Sequence, residues 1–224
     1  EIAQCLVGSE MCIRDRYHYL LQNKHRCKME HALNSISYII TGHVFRSKIE
    51  YSPHGDVNLL NMDAISTTGL VHLCKDDCKK VVAKDMKNDE IIKPNDILFK
   101  AKGLTNNAVV VSSIPENATV TSSCHIIRIN DNRYLPEYIC TWLNSIAAKK
   151  YFSMNSGQIT GTTIANVSKA TLEALKVPLI PLKQQKLIAG IEECTKQIKE
   201  LHLIIAEKRF ILSQAIIKQE LQKY

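Results

Sequence analysis

The chain has 224 residues, 45% of them hydrophobic and 23% charged, enough apolar surface to build a packed core and too much for a disordered tail. Its 29 Lys and Arg against 22 Asp and Glu leave a net charge of +7, which suits a polyanionic partner but is also common among ordinary soluble proteins. Eight cysteines with no Cys-x-x-Cys pair are too dilute for a disulfide scaffold, and no apolar run approaches the roughly 20 residues that span a bilayer, so reduced thiols in a cytoplasmic protein without membrane contact are expected.

In chain order, the sequence opens on Glu1, and residues 6–16 (LVGSEMCIRDR) fit neither helical nor strand periodicity. They look like translated sequencing-adapter read-through and are expected to be non-native. Residues 17–35 are polar and basic; His18, His25 and His31 match no metal-ligand spacing, so a solvated connector is expected. Residues 36–40 read as a strand, Thr41-Gly42 as a turn, and 52–56 (SPHGD) as a second turn. Residues 57–65 read as a strand and loop, 66–69 as a turn and 71–73 as a short strand. Cys74 and Cys78 lack a second Cys or His pair at a usable distance, so no metal is expected. Residues 81–92 are charged, with a helical start expected.

A buried strand is predicted over 96–100, a polar loop over 101–107 and a β-branched strand over 108–112 that pairs with the first. Around the loop stand Lys100, Lys102, Thr105, Asn106 and Asn107. Lys can contact phosphate or guanine, and Asn can bond the N6/N7 edge of adenine, which is chemistry suited to a DNA groove. A solvated hairpin loop is the other reading of the same residues. Residues 120–129 form another strand pair; Cys124 and His125, as neighbours in a strand, face opposite sides and make a poor nucleophile and base. Pro136 at a first helical position starts a helix whose apolar face runs through Tyr138, Ile139, Trp142, Leu143 and Ile146, with Trp142 expected in the core.

Ser156, Gly157, Gln158, Thr160, Gly161, Thr162 and Thr163 supply turn chemistry for a polar loop. Ser168 is a plausible N-cap for a short helix over 169–175, and Pro178 and Pro181 force 177–182 to be extended. From Lys183 no proline interrupts the chain. Ile191, Cys194, Ile198, Leu201, Ile205, Leu212 and Ala215 recur in alternating three- and four-residue steps with Lys208 among them, the pattern of a coiled-coil seam. Ile204, Phe210, Ile211 and Ile217 widen that stripe until it needs cover from another helix or a domain. About 40 helical residues would reach roughly 60 Å, the length of a spacer.

The order Tyr134-Leu135, a helix through Trp142-Leu143, Ser156-Gly157, Thr162-Thr163-Ile164, Leu172, Leu175, the 177–182 segment VPLIPL and Gln185 before a long helix resembles the specificity subunits of type I restriction–modification systems. Upstream, Pro94-Asn95-Asp96-Ile97-Leu98-Phe99, Gly103 and the strand at 109–111 are similar to the same family's turn into a buried strand, so the resemblance covers roughly 35–222. It implies an α+β fold: a leader and connector at 1–34, a β-rich DNA target-recognition domain at 35–180, and a long coiled-coil helix at 181–224 for pairing and spacing.

The resemblance also implies a binding subunit that reads one half of a bipartite double-stranded DNA target. It would have no cofactor of its own. A DNA adenine methyltransferase subunit and a restriction and translocase subunit would supply the chemistry, and a second recognition domain would come in trans, in a homodimer, or from a longer chain. From the loop chemistry, Lys100, Lys102, Thr105, Asn106, Asn107 and the 156–163 loop are expected to face DNA; from the seam, Ile191, Ile198, Leu201, Ile205 and Leu212 are expected to pair helices. No paired-carboxylate motif or Gly-rich phosphate loop points to catalysis. A coiled-coil interaction protein, or a recognition module split from a single-chain methyltransferase–nuclease, are the other readings.

Overall fold

The computed structural model describes residues 29–222 except 47, 61–64, 66–68, 84, 104–105 and 156–164. In chain order its elements are β1 (Glu30–Ala32), the single turn α1 (Leu33–Ile36), β2 (Ser37–Thr41), β3 (Val57–Leu60), β4 (Gly69–His72), β5 (Cys78–Val81), β6 (Ile97–Lys100), β7 (Lys102–Gly103), β8 (Ala108–Ser113), β9 (Ala118–Thr119) and β10 (Cys124–Ile129). Then follow α2 (Pro136–Asn144), α3 (Ile146–Asn155), β11 (Ala165–Asn166), α4 (Lys169–Glu173), β12 (Lys176–Pro178) and α5 (Leu182–Leu221). The α+β architecture, a β-rich body leading into one long C-terminal helix, is the one the sequence predicts.

The main sheet runs β2–β10–β6–β8–β4, antiparallel except for the parallel β4–β8 pair. Its centre explains the apolar run Ile97-Leu98-Phe99, which has no exposed surface. Successive strand residues face opposite sides, and here both sides are covered. Ile97 and Phe99 join Ile127, Leu143, Phe152 and Leu172 under the helices, while Leu98 joins Val109, Val111, Ile126 and Leu60 on the other face. The Phe99 and Phe152 rings lie 5.2 Å apart, an aromatic contact that locks α3 onto the sheet. A smaller sheet, β5–β3–β9, has its own apolar cluster of Val57, Leu59 and Val81.

The turn that feeds β6 is fixed by charge. Asn95 takes a positive φ of 69°, and the Asp96 carboxylate, 2% exposed, accepts from the Lys93 backbone at 2.8 Å and from the Arg128 guanidinium at 2.9 and 2.7 Å. That two-pronged bond ties β6 to β10 at the turn. Gly42 is required by proximity: a Cβ there would run into the Thr121 carbonyl.

Several expectations shift. The fold begins upstream of the expected boundary at 35, because β1 pairs with β12 and Leu33 is fully buried. Residues 78–81 are a strand, so no helix starts at 81, and the described part of 81–92 holds a short 3-10 turn at Asn88–Glu90. The helix begun at Pro136 stops at Asn144, where Ser145 turns the chain and its hydroxyl accepts from the Ala148 backbone to start α3; Ile146 is consequently 88% exposed instead of continuing the apolar face. Residues 6–16 lie outside the described residues.

Candidate nucleic-acid interface

The 101–107 loop is built on rigid footing at both ends. At its start, the Ala101 and Lys102 amides donate to the Ser123 carbonyl at 2.9 and 3.2 Å. At its end, the Lys100 amide donates to the Asn107 carbonyl at 2.9 Å, closing the β6–β8 hairpin. Asn144, in the last turn of α2, then clips the first residue of β8: its side chain accepts from the Ala108 amide at 2.9 Å and donates to the Ala108 carbonyl at 2.8 Å. In this way a helix takes over the bonds of a missing strand. Sequence reasoning missed Asn144; the signal was an Asn, a poor helix former that readily bonds backbone, placed on an otherwise apolar helix face.

A second segment is brought alongside. β11 pairs with β7 in antiparallel register, Ala165 opposite Gly103 and Asn166 opposite Lys102, and the Val167 amide donates to the Ala101 carbonyl at 3.0 Å. The residue that follows 156–164 therefore lies beside the residue that precedes 104–105. Two stretches that the sequence singles out separately are joined at their roots by one short ribbon. Gly103 holds φ at +138°, and a Cβ there would stand 3.1 Å from the Lys100 Cε, so the Lys100 stem lies against the ribbon.

The described candidate residues have different environments. Lys102 is exposed and Lys100 half-buried. Asn106 is half-buried, with its amide nitrogen donating to the Lys100 and Ala101 carbonyls at 3.1 Å each, and Asn107 is 8% exposed. Thr105, Ser156, Gly157, Gln158, Thr160, Thr162 and Thr163 lie outside the described residues. Beneath the ribbon, His125 is 5% exposed and burial holds its pKa below the usual value, opposed by a hydrogen bond to the Val167 backbone; Lys169 and Lys102 also disfavour a further positive charge. Burial pushes the neighbouring Cys124 thiol up to about 12, so it stays protonated in the core.

The start of the long helix is anchored by one side chain. Gln185, the buried residue of α5, accepts from the Leu135 amide at 2.9 Å and donates to the Arg133 and Ile180 carbonyls at 2.8 Å each. It binds α5 to the segment entering α2 and fixes the direction in which the helix leaves. Beyond it, Ile191, Ile198, Leu201, Ile205 and Leu212 are 47–60% exposed in this single chain. Among the described residues no group of three or more His, Cys, Asp or Glu could hold a metal ion, and no helix is long and apolar enough to cross a membrane.

Comparison with known proteins places this geometry. The model of the type I restriction modification DNA specificity domain matches residues 26–200. No curated protein sequence matches the chain. Among solved structures, the HsdS subunit from Thermoanaerobacter tengcongensis superposes with a TM-score of 0.54 at 13% identity, over 78% of this chain and 38% of that one. A chain from a structure of the type I R-M system superposes at 0.55 and 14% identity, over 80% and 41%. The type IIG restriction endonuclease BpuSI superposes at 0.52 and 9% identity, over 79% and 27%. The chain thus spans about two fifths of the length of the two type I chains and shares their fold. With the family model covering most of its length, the chain belongs to the type I restriction modification DNA specificity domain family.

Proposed function

We propose that the chain reads one half of a bipartite DNA target and sets its distance from the other half, leaving the chemistry to partner subunits. The observation that carries this reading is the β7–β11 ribbon, which gathers the Lys100–Asn107 region and the root of the 156–163 loop at one place. There, Lys100 and Lys102 bind phosphates or guanine, and Thr105, Ser156, Gly157, Gln158, Thr160, Thr162 and Thr163 contribute polar and backbone groups to DNA contact. Asn106 and Asn107, by their bonds and burial, serve this site by shaping the loop.

The helix α5, 40 residues and so roughly 60 Å long, spans a little under two turns of duplex at about 34 Å each. Its exposed seam pairs with the equivalent helix of a second recognition domain, in a homodimer or in a longer polypeptide. A DNA adenine methyltransferase subunit and a restriction and translocase subunit complete the assembly in the cytoplasm. A second reading, a recognition module split from a single-chain methyltransferase–nuclease, is supported by the fold shared with the type IIG restriction endonuclease, of whose chain the match covers 27%.

Selection from a random duplex pool by the purified protein, with and without a partner methylation subunit, tests the proposal. A two-part palindromic motif is expected from a homodimer and a single half-site from one recognition domain alone. The absence of enrichment in both conditions would reject DNA reading and leave the helix as a protein-pairing device.

A further inference from the structure

We infer that the β7–β11 ribbon is itself a reading element, with Asn166 as a specificity-determining residue and its cross-strand neighbour Lys102 as the phosphate contact beside it. This rests on the DNA-reading proposal above and assigns a residue within it. Directly opposed residues of an antiparallel pair share a face, with Cβ atoms about 4.5–5.5 Å apart. The register places Asn166 opposite Lys102, and both side chains are exposed. Among the described residues the Asn166 amide has no hydrogen-bond partner. The asparagines of the neighbouring loop differ: Asn106 spends its amide nitrogen on two carbonyls and Asn107 is buried.

Size and rigidity fit the task. Two paired strands are spaced about 4.8 Å apart, and the major groove, roughly 12 Å wide, admits a two-stranded ribbon. The ribbon is held at its base by the Lys102 and Val167 backbone bonds and by the Ser168 hydroxyl, which accepts from the Thr171 amide at 3.1 Å and fixes the next turn of chain. An exposed amide on such a support can donate to N7 and accept from N6 of one adenine, two bonds no other base edge offers in that arrangement. Lys102, a point charge without that pattern, adds affinity across sequences.

The test is the same duplex-pool selection on the full chain with Asn166→Ala, Asn166→Asp and Lys102→Gln. Wild-type protein selects a half-site; the two Asn166 variants keep most of it and lose preference at one or two adjacent positions, with about 5- to 100-fold weaker binding to the wild-type site. Lys102→Gln weakens all duplexes alike and lowers the slope of log K against log salt by about 1. Asn166 variants that select the wild-type motif with wild-type affinity overturn the inference while leaving DNA reading intact. So does a melting midpoint lowered by several degrees in both Asn166 variants, which would assign the residue to the fold. A wild-type protein that selects nothing defeats the DNA-reading proposal itself, before any variant is compared.

Discussion

Asn144 and Gln185 do similar work at opposite ends of α2, each using a side-chain amide to satisfy backbone that no strand or helix partner reaches. Asn144→Ala strips two bonds from Ala108, a residue with no exposed surface, and leaves a buried N–H to find water and a C=O held only by the Cys140 thiol at 3.3 Å. Loss of about 2 kcal/mol is expected, read as a lower denaturant midpoint with an unchanged slope. Because Ala108 ends the loop, sequence preference should loosen as well. Gln185→Ala exposes three backbone groups at once and should cost about 3 kcal/mol, whereas Gln185→Glu keeps the acceptor for Leu135 but sets a carboxylate against the Arg133 and Ile180 carbonyls. The Glu variant is therefore expected to be no better than the Ala variant near neutral pH and to recover on acidification, when a protonated acid can donate; equal deficits at both pH values would contradict the bonding pattern. His125 gives the wild-type protein a pH response of its own. Its folded pKa lies below the usual 6.5, so the unfolded chain takes up the proton first. The contribution is complete above that value and is lost as pH falls from it through the folded pKa. His125→Gln should accordingly lose less melting temperature than wild type between about pH 7 and pH 5.

Among the elements, those whose signals are local are legible in the sequence, and those defined by distant partners are not. Pro136 at N1, Ser168 as a cap and the two prolines ahead of α5 each act within a few residues, and the corresponding elements start where those residues put them. The β6–β8 hairpin is legible because its apolar runs are short, the second of them β-branched, and separated by a polar loop. By contrast β1 is three residues, Glu-His-Ala, with no strand pattern of its own; it is a strand because Lys176–Pro178 offers its backbone. The end of α2 at Asn144 was hidden by periodicity, since Ile146 continues the helical spacing, while the competing signal was the capping hydroxyl of Ser145. Within the site, residue type pointed to Asn106 and Asn107 as groove readers. Only the fold reveals that one amide is engaged by two carbonyls and the other residue is buried, and that Asn166, far along the chain, stands opposite Lys102.

At the scale of the whole molecule, the question is how a rigid body and a long exposed helix could measure DNA. Gln185 fixes the angle at which α5 leaves, so under the proposed pairing a change of helix length would shift the second recognition domain without reorienting this one. The helix phase matters as much as its length. Duplicating the seven residues 194–200 keeps the a and d positions of the seam in register, whereas inserting four residues interrupts the heptad and locally unwinds a coiled coil. One heptad adds roughly 10 Å of helix, close to three base-pair rises of about 3.4 Å. The heptad variant is therefore expected to select the same two half-sites separated by about three more unread base pairs, with affinity near wild type. The four-residue variant should lengthen the spacer less and bind more weakly, because its downstream apolar positions rotate away from the partner seam. Duplex-pool selection with both variants reads spacer and affinity together. An unchanged spacer in the heptad variant would refute the ruler, and equal affinities in the two variants would refute the seam as the surface that joins the recognition domains.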